Sequence, residues 1–396
     1  MFEYFPTNYA WNLAVVMAIN AGGVMSEIDT VCRPLLPREK EGAKANAAWS
    51  ASWATLANRV AGYAQIEEAA GHHRSAARRY QRASLYSFMS ERNADAGAER
   101  LETYKQALAY FRKSTELAGE NIEFVEVPFR GASMPALFVK AKGVSSPAPC
   151  MVHFDGLDVT KELLHMRGVA SQLAERGISV LLVDHPGVGE ALRLRNMTSE
   201  PETEQPAKAC VDYLETRSDV DRGRIGMIAL SLGGYYAPRA AAFEKRFACC
   251  VAWGALFDYG EITQQRVRGA RSALSVSDWA AHVKWVFGQE TVEGVLAVTR
   301  RMTLEGVVDK ITCPLLVVHG EKDRQIPVEH AHRTYDGAVN SPNRKLKIFT
   351  EDEGGCEHCQ IDNATVGVDY MADWIVDVLG ASRPGLARSL EGVSQE

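Results

Sequence analysis

The chain has 396 residues, and at roughly 150 residues per domain this length predicts two or three domains. Hydrophobic residues make up 46% of the sequence and charged residues 24%, which excludes a disordered or low-complexity protein. Lys and Arg number 44 against 50 Asp and Glu, so the net charge of −6 argues against nucleic acid as the main partner. The longest apolar runs, such as 178–183, are far shorter than the ~20 residues of a spanning helix, so we expect no membrane insertion.

The N-terminal residues lack the Lys or Arg of a signal peptide, and eight cysteines are too few for a disulfide scaffold. We therefore expect a cytoplasmic protein. One pair, Cys356 and Cys359, has the spacing of a metal or redox pair. Because no second pair of ligands accompanies it, packing of these thiols beside His358 is the favoured interpretation, and no bound metal is expected.

Residues 1–119 are predicted to form a helical N-terminal domain. Apolar residues recur there at helical spacing over 8–20, 43–71, 75–92 and 96–118, and Gly71 ends the second segment. The aromatic content of these helices is compatible with a homodimer, although the sequence identifies no interface.

From residue 120 onward the pattern changes to apolar strands that alternate with helices, one of which is predicted over 162–175. Such alternation predicts an α/β fold with a mostly parallel, twisted sheet that helices cover on both faces. We assign 120–380 to this core and 255–309 to a helical insertion before a late strand. The polar segment 381–396 is predicted to be a disordered tail.

The segment 225–237 carries the strongest chemical signal, because an apolar strand runs into Ser231 and a helix follows at once. A turn this sharp requires small residues two positions before and after the serine, and Ala229 and Gly233 meet that requirement. Such a turn exposes the hydroxyl as a nucleophile. It also directs the Leu232 N–H into the site, where it can stabilise an oxyanion.

A serine nucleophile needs a base, and the base needs an orienting carboxylate. Asp323 follows an apolar strand and a Gly turn, and His358 follows the next strand and a Gly-rich loop. The order Ser, Asp, His is the one expected when the nucleophile lies on a strand-to-helix turn. We therefore predict Ser231 as nucleophile, Asp323 as acid and His358 as base.

The second oxyanion donor is expected from the loop after the 149–154 strand, as the N–H of Leu157 or Gly156. Lys161 and Glu162 open the following helix and are interpreted as a structural ion pair. Further residues could line the substrate pocket, and they share positions just after predicted strands or the nucleophile; these are His185, Tyr235, Asp258 and Glu261.

These segments resemble one branch of the α/β-hydrolase family. That branch contains 2,6-dihydroxypseudooxynicotine hydrolase, the fungal hydrolases that shorten naphthopyrone polyketides, and esterase-like relatives. The resemblance covers about 121–380 and rests on five motifs: Asp155–Glu162, Asp184–Glu190, Ser231–Tyr235, Gly320–Asp323 and Gly354–His358. It implies the same three catalytic residues. Several members of the branch cleave a carbon–carbon bond beside a ketone without a cofactor.

We therefore expect a cofactor-free serine hydrolase that cleaves a carbon–carbon bond in an aromatic or polyketide-like small molecule. A carboxylesterase, lactonase or thioesterase would need the same three residues, and the sequence does not separate these reactions. A third interpretation is a non-hydrolytic binding or cyclising protein on the same fold.

Overall fold

The computed structural model describes residues 1–144 and 147–380, and the expected tail 381–396 lies outside the described residues. The chain divides into two compact units. The first contains Met1–Ile122 together with Arg271–Val283, and the second contains the remaining described residues from Glu123 onward. The inserted segment therefore contributes to the helical unit as well as to the sheet-bearing one.

The first unit consists of helices that pack around an aromatic core. Rings of Phe5, Trp11, Trp49, Trp53 and Tyr86 follow one another with centroids 5.0–5.7 Å apart. Trp49 and Trp53 are four residues apart and therefore share the buried face of one helix. The helices are α1 (Tyr9–Asn20), α2 (Met25–Cys32), α3 (Asn46–Ala69), α4 (His73–Arg92) and α5 (Ala98–Ala118), with a 3-10 segment at Arg33–Ala45.

The second unit is built on an eight-stranded sheet in the order β1-β2-β4-β3-β5-β6-β7-β8. β2 and β4 are antiparallel, whereas β4, β3, β5, β6, β7 and β8 run parallel. The central strands are buried on both faces because their sequences are continuously apolar. The strands are β1 (Ile122–Phe129), β2 (Ala132–Val139), β3 (Ala148–Phe154), β4 (Ser179–Val183), β5 (Val220–Leu230), β6 (Cys249–Trp253), β7 (Leu315–Gly320) and β8 (Arg344–Phe349).

Helices connect and cover these strands. The helix predicted over 162–175 is wrong as a single element, because Gly168 takes the left-handed conformation at φ +86° and divides it in two. The helices are α6 (Lys161–Met166), α7 (Val169–Glu175), α8 (Gly189–Arg193), α9 (Glu204–Glu215), α10 (Gly233–Phe243), α11 (Tyr259–Val267), α12 (Trp279–Val286), α13 (Val292–Thr299), α14 (Glu329–Gly337) and α15 (Ala364–Leu379). Among the described residues, no helix has the length and apolar character needed to cross a membrane.

The predicted α/β fold is confirmed. Because neighbouring strands are parallel, their carboxyl ends meet at one edge of the sheet, which is where open α/β sheets bind ligands. Asp155, Asp184 and Ser231 each follow directly after a strand that ends at this edge. Asp323 and His358 lie in the loops that follow β7 and β8 at the same edge.

Candidate active site

Ser231 occupies the turn between β5 and α10 and has a left-handed backbone conformation at φ +63°. This conformation is rare for a residue with a side chain and marks a strained turn. Its N–H donates to the Trp253 carbonyl oxygen at 2.8 Å, which fixes the turn against β6. A Cβ at Gly233 would lie 2.6 Å from the Ala229 Cβ, so the small residues predicted at these two positions are required sterically.

The structure brings Ser231, His358 and Asp323 together in one hydrogen-bonded row. His358 Nε2 lies 2.9 Å from Ser231 Oγ, and His358 Nδ1 lies 2.7 Å from Asp323 Oδ2. These distances allow the imidazole to accept the serine proton while the carboxylate orients the ring. The arrangement is therefore chemically able to activate the hydroxyl.

Asp323 is held rigidly by the chain around it. Its Oδ1 accepts hydrogen bonds from the backbone N–H groups of Gln325 at 2.8 Å and Ile326 at 2.9 Å. These bonds leave Oδ2 directed at His358. Gly320 permits the loop of the histidine to approach β7, because a Cβ there would lie 2.2 Å from the Cys356 carbonyl oxygen.

The electrostatics of the pair oppose the effect of burial. Burial favours the neutral forms of both groups, but their attraction outweighs it. Asp323 therefore raises the pKa of His358 well above its usual value, and His358 lowers the pKa of Asp323. An imidazolium formed by proton transfer from Ser231 would be stabilised by the same carboxylate.

The region beside Ser231 contains the groups predicted to stabilise an oxyanion. Leu232 lies at the N-terminus of α10, and its N–H has no hydrogen-bond acceptor among the described residues. Gly156 lies directly against it, since a Cβ on Gly156 would lie 2.7 Å from the Leu232 nitrogen. The Val159 N–H donates to the buried carboxylate of Asp155 at 2.6 Å. Leu157 follows Gly156 and is buried.

The residues predicted to line the pocket have other partners in the structure. His185 is buried, with Nδ1 2.9 Å from the Pro186 carbonyl oxygen and Nε2 3.2 Å from that of Asp155, and burial lowers its pKa to about 4. The Tyr235 hydroxyl donates to the Pro201 carbonyl oxygen at 2.9 Å.

The two carboxylates beyond β6 form contacts at the N-terminal end of α11. Asp258 caps the helix by accepting the Glu261 N–H at 2.9 Å, and Glu261 binds Arg333 at 2.7 Å. A role of His185, Tyr235, Asp258 or Glu261 in binding substrate stays a prediction.

Two further side chains lie beside the hydrogen-bonded row of Ser231, His358 and Asp323. His319 Nε2 lies 3.6 Å from Asp323 Oδ2 and 3.0 Å from the Ile326 carbonyl oxygen. Cys359 Sγ lies 3.7 Å from His358 Nε2. The thiol reaches this place because Cys359 itself takes a left-handed conformation at φ +49°, which no local pattern predicts.

The cysteine pair and one group of acidic residues are the candidate metal ligands. Cys356 Sγ lies 3.7 Å from Asp362 Oδ2, whereas Cys359 Sγ lies 3.8 Å from the Trp253 carbonyl oxygen, so the two thiols face different partners. One acidic group within 1–144 and 147–380 has its oxygens within 4.8 Å of one another; it consists of Glu162, Asp184 and Glu190. The Lys161 ammonium binds all three of these carboxylates.

Comparison with known proteins identifies the relatives of this chain. It is 27% identical to 2,6-dihydropseudooxynicotine hydrolase of Paenarthrobacter nicotinovorans over 85% of the chain and 86% of that protein. It is 26% identical to hydrolase LUC6 of a Fusarium species, covering 98% of the chain and 100% of that protein. It is also 26% identical to 20-hydroxy-prefusarin hydrolase FUS2 of Gibberella moniliformis, covering 85% of the chain and 88% of that protein.

A similar solved structure is that of 2,6-dihydroxy-pseudo-oxynicotine hydrolase. It superposes with a TM-score of 0.73 at 26% identity and covers 92% of this chain and 95% of the other. Fold and relatives together define an α/β-hydrolase enzyme, and the expected branch is confirmed. The chain belongs to the prolyl oligopeptidase family, whose sequence profile matches 165–381, and to the FrsA-like esterases, whose profile matches 42–265.

Proposed function

We propose that this α/β-hydrolase is a serine hydrolase that cleaves a carbon–carbon bond beside a ketone, in an aromatic or polyketide-like small molecule. The observation that carries the proposal is the position of His358, whose two ring nitrogens face Ser231 Oγ at 2.9 Å and Asp323 Oδ2 at 2.7 Å. This geometry supports a covalent mechanism that uses only side chains and water.

In the first half-reaction, His358 takes the Ser231 proton while Ser231 Oγ attacks the ketone carbon. The N–H of Leu232, with a second donor from the loop at Gly156 and Leu157, stabilises the negative oxygen. The carbon–carbon bond then breaks, and the electron pair leaves with the departing carbon as an enolate or electron-rich aryl carbanion. The imidazolium of His358 returns the proton to that carbon.

In the second half-reaction, a water molecule attacks the acyl group on Ser231. His358 accepts a proton from the water, and the tetrahedral intermediate collapses when the same proton returns to Ser231 Oγ. The products are a carboxylic acid and the protonated carbon fragment. No redox change occurs in either half.

The resemblance to the branch of 2,6-dihydropseudooxynicotine hydrolase supports carbon–carbon cleavage, because it implies enzymes of this type. The chain is 27% identical to that hydrolase. A second candidate is ester hydrolysis by the same three residues, which the match to the FrsA-like esterase profile favours. An ester demands less of the enzyme, since its alkoxide leaves without the stabilisation that a carbanion needs. The two reactions therefore differ in leaving group and not in nucleophile.

A substrate panel tests the proposal. The native protein is incubated with β-diketones and acylphenols on one side and with p-nitrophenyl esters on the other, with Ser231→Ala as the matched control. Cleavage of a ketone to a carboxylic acid by the native protein, abolished in Ser231→Ala, supports the proposal. Rapid turnover of short esters with no reaction of any ketone would replace it with the esterase function.

A further inference from the structure

A buried group of charges lies immediately beside the proposed oxyanion loop. Lys161 Nζ lies 2.6 Å from Glu162 Oε1, 2.9 Å from Asp184 Oδ2 and 2.6 Å from Glu190 Oε1. The side chains of Lys161, Glu162 and Asp184 are at most 2% exposed. The ammonium thus directs its three N–H donors at three carboxylates, which holds it at one position.

Asp184 connects two loops through the same group. Besides the Lys161 ammonium, its carboxylate accepts the backbone N–H of Lys161 at 2.9 Å and of Glu190 at 2.8 Å. It therefore ties the start of α6 to the start of α8. Gly189 leaves room for this carboxylate, because a Cβ there would lie only 1.9–2.1 Å from its atoms.

The loop 155–160 runs between Asp155, which follows β3, and this charged group. At its beginning, the Asp155 carbonyl oxygen faces His185 Nε2 at 3.2 Å, and the Asp155 carboxylate accepts the Val159 N–H at 2.6 Å. At its end, the Lys161 ammonium and N–H are bound to Asp184. Both ends of the loop are thus attached to residues that follow β4.

This attachment fixes the residue that touches the nucleophile turn. A Cβ on Gly156 would lie 2.7 Å from the Leu232 nitrogen and 2.9 Å from the Ser231 Cβ, so the loop and the turn are already in close contact. An oxyanion donor acts only within a few tenths of an ångström of its ideal distance. A shift of the loop at Lys161 would therefore change the geometry at Ser231.

We propose that Lys161 and Asp184 are positioning residues that hold the 155–160 loop, and with it the second oxyanion donor, at its working distance from Ser231. This role rests on the proposed function of Ser231. Stability alone does not explain the group, since buried ion pairs are often no more stable than well-packed apolar residues. A network of directed charge contacts does, however, fix the position of a loop.

The test compares two reagents that phosphorylate Ser231 and release p-nitrophenolate: a dialkyl p-nitrophenyl phosphate and its P=S counterpart. Ser231 Oγ bonds to phosphorus, p-nitrophenolate leaves, and His358 takes the serine proton. The P=O oxygen accepts hydrogen bonds from an oxyanion hole, whereas sulfur is a weak acceptor. The ratio of the two rate constants therefore reports the oxyanion hole separately from the nucleophile.

In Lys161→Met, the rate constant with the phosphate should fall about tenfold or more, while that with the thiophosphate changes less than about threefold. Lys161→Arg keeps the charge, but a planar guanidinium cannot reproduce three contacts around a point charge, so a smaller fall in the ratio is expected. Lys161→Arg provides the test if Lys161→Met does not fold. The matched control is Arg239→Met, which removes a half-buried ion pair elsewhere in the same unit, to Glu204 at 2.7 Å.

Arg239→Met should lower the melting temperature and leave the ratio unchanged. Equal falls with both reagents in the folded Lys161 variants, or a ratio equal to that of the native protein, would overturn the positioning role. If the native protein is not phosphorylated at Ser231 by either reagent, the proposed function itself is wrong, and the role of Lys161 falls with it.

Discussion

Replacement of Gly156 by Ala perturbs the contact between the 155–160 loop and the nucleophile turn. The new methyl carbon would lie 2.7 Å from both the Leu230 carbonyl oxygen and the Leu232 nitrogen, and 2.9 Å from the Ser231 Cβ. These atoms belong to the backbone or to a Cβ, so no flexible side chain can move away. Because ordinary contacts need more than 3.4 Å, the loop or the turn must shift by several tenths of an ångström.

Such overpacking should lower the free energy of unfolding by about 1–3 kcal/mol. The larger effect is expected in catalysis, because displacing oxyanion donors costs on the order of 10²-fold in rate. Thermal unfolding measures the first quantity, and kcat/KM for an activated ester, or the rate of phosphorylation of Ser231, measures the second. The predicted signature is a modest loss of stability with a large loss of rate.

Gly62→Ala is the matched control, since a Cβ at Gly62 in α3 meets no atom within 4 Å. This change should stabilise the helix by roughly 0.5–1 kcal/mol and leave the rate unaltered. A Gly156→Ala protein that reacts as fast as the native one would refute the inferred contact between the loop and the turn.

Three further outcomes are expected. Ser231→Ala should lower kcat on the order of 10⁴–10⁶-fold with little change in melting temperature, and substantial residual turnover would point to another nucleophile. Only neutral His358 can act as a base, and Asp323 stabilises its charged form, so kcat/KM should rise with pH through a midpoint above 6.5. Asp323→Asn should lower this midpoint and should also lower kcat by about 10⁴-fold. Burial and the charge of Asp158 raise the pKa of Asp155 from 3.8 to about 7, so the folded protein binds this proton more strongly than the unfolded chain does. The free energy of unfolding of the native protein should therefore fall, relative to that of Asp155→Asn, as the pH rises from about 4 to about 7. Denaturant unfolding from pH 4 to pH 8 measures this difference, and parallel curves for the two proteins would contradict it.

The sequence predicts the sheet and the row of Ser231, His358 and Asp323 because both leave local patterns. Continuous apolar strands that alternate with helices predict a parallel sheet, and small residues at 229 and 233 mark the turn at Ser231. Asp323 follows an apolar strand and a glycine, and His358 follows the next strand and a Gly-rich loop, which places both at the carboxyl edge with Ser231. At Ser231, Asp323 and His358, the positions predicted from the local sequence agree with those in the fold.

Other features depend on long-range packing or on unusual backbone conformations. The segment 271–283 joins the helical unit, where Arg92 donates to the Ser275 carbonyl oxygen at 2.8 Å, and no periodicity in either segment predicts this contact. Cys359 comes close to His358 because two consecutive residues, Cys359 and Gln360, have positive φ. Two of the three partners of Lys161 likewise depend on long-range packing, since Asp184 follows β4 and Glu190 belongs to α8.

The proposed function depends on activation of the Ser231 hydroxyl as a nucleophile. Reaction of the native protein with a fluorophosphonate, followed by mass spectrometry of its peptides, tests this activation. One adduct is expected, on the peptide that contains Ser231, and it should be lost in His358→Ala. An unmodified Ser231 peptide in a protein that still hydrolyses its substrate would show that another group is the nucleophile.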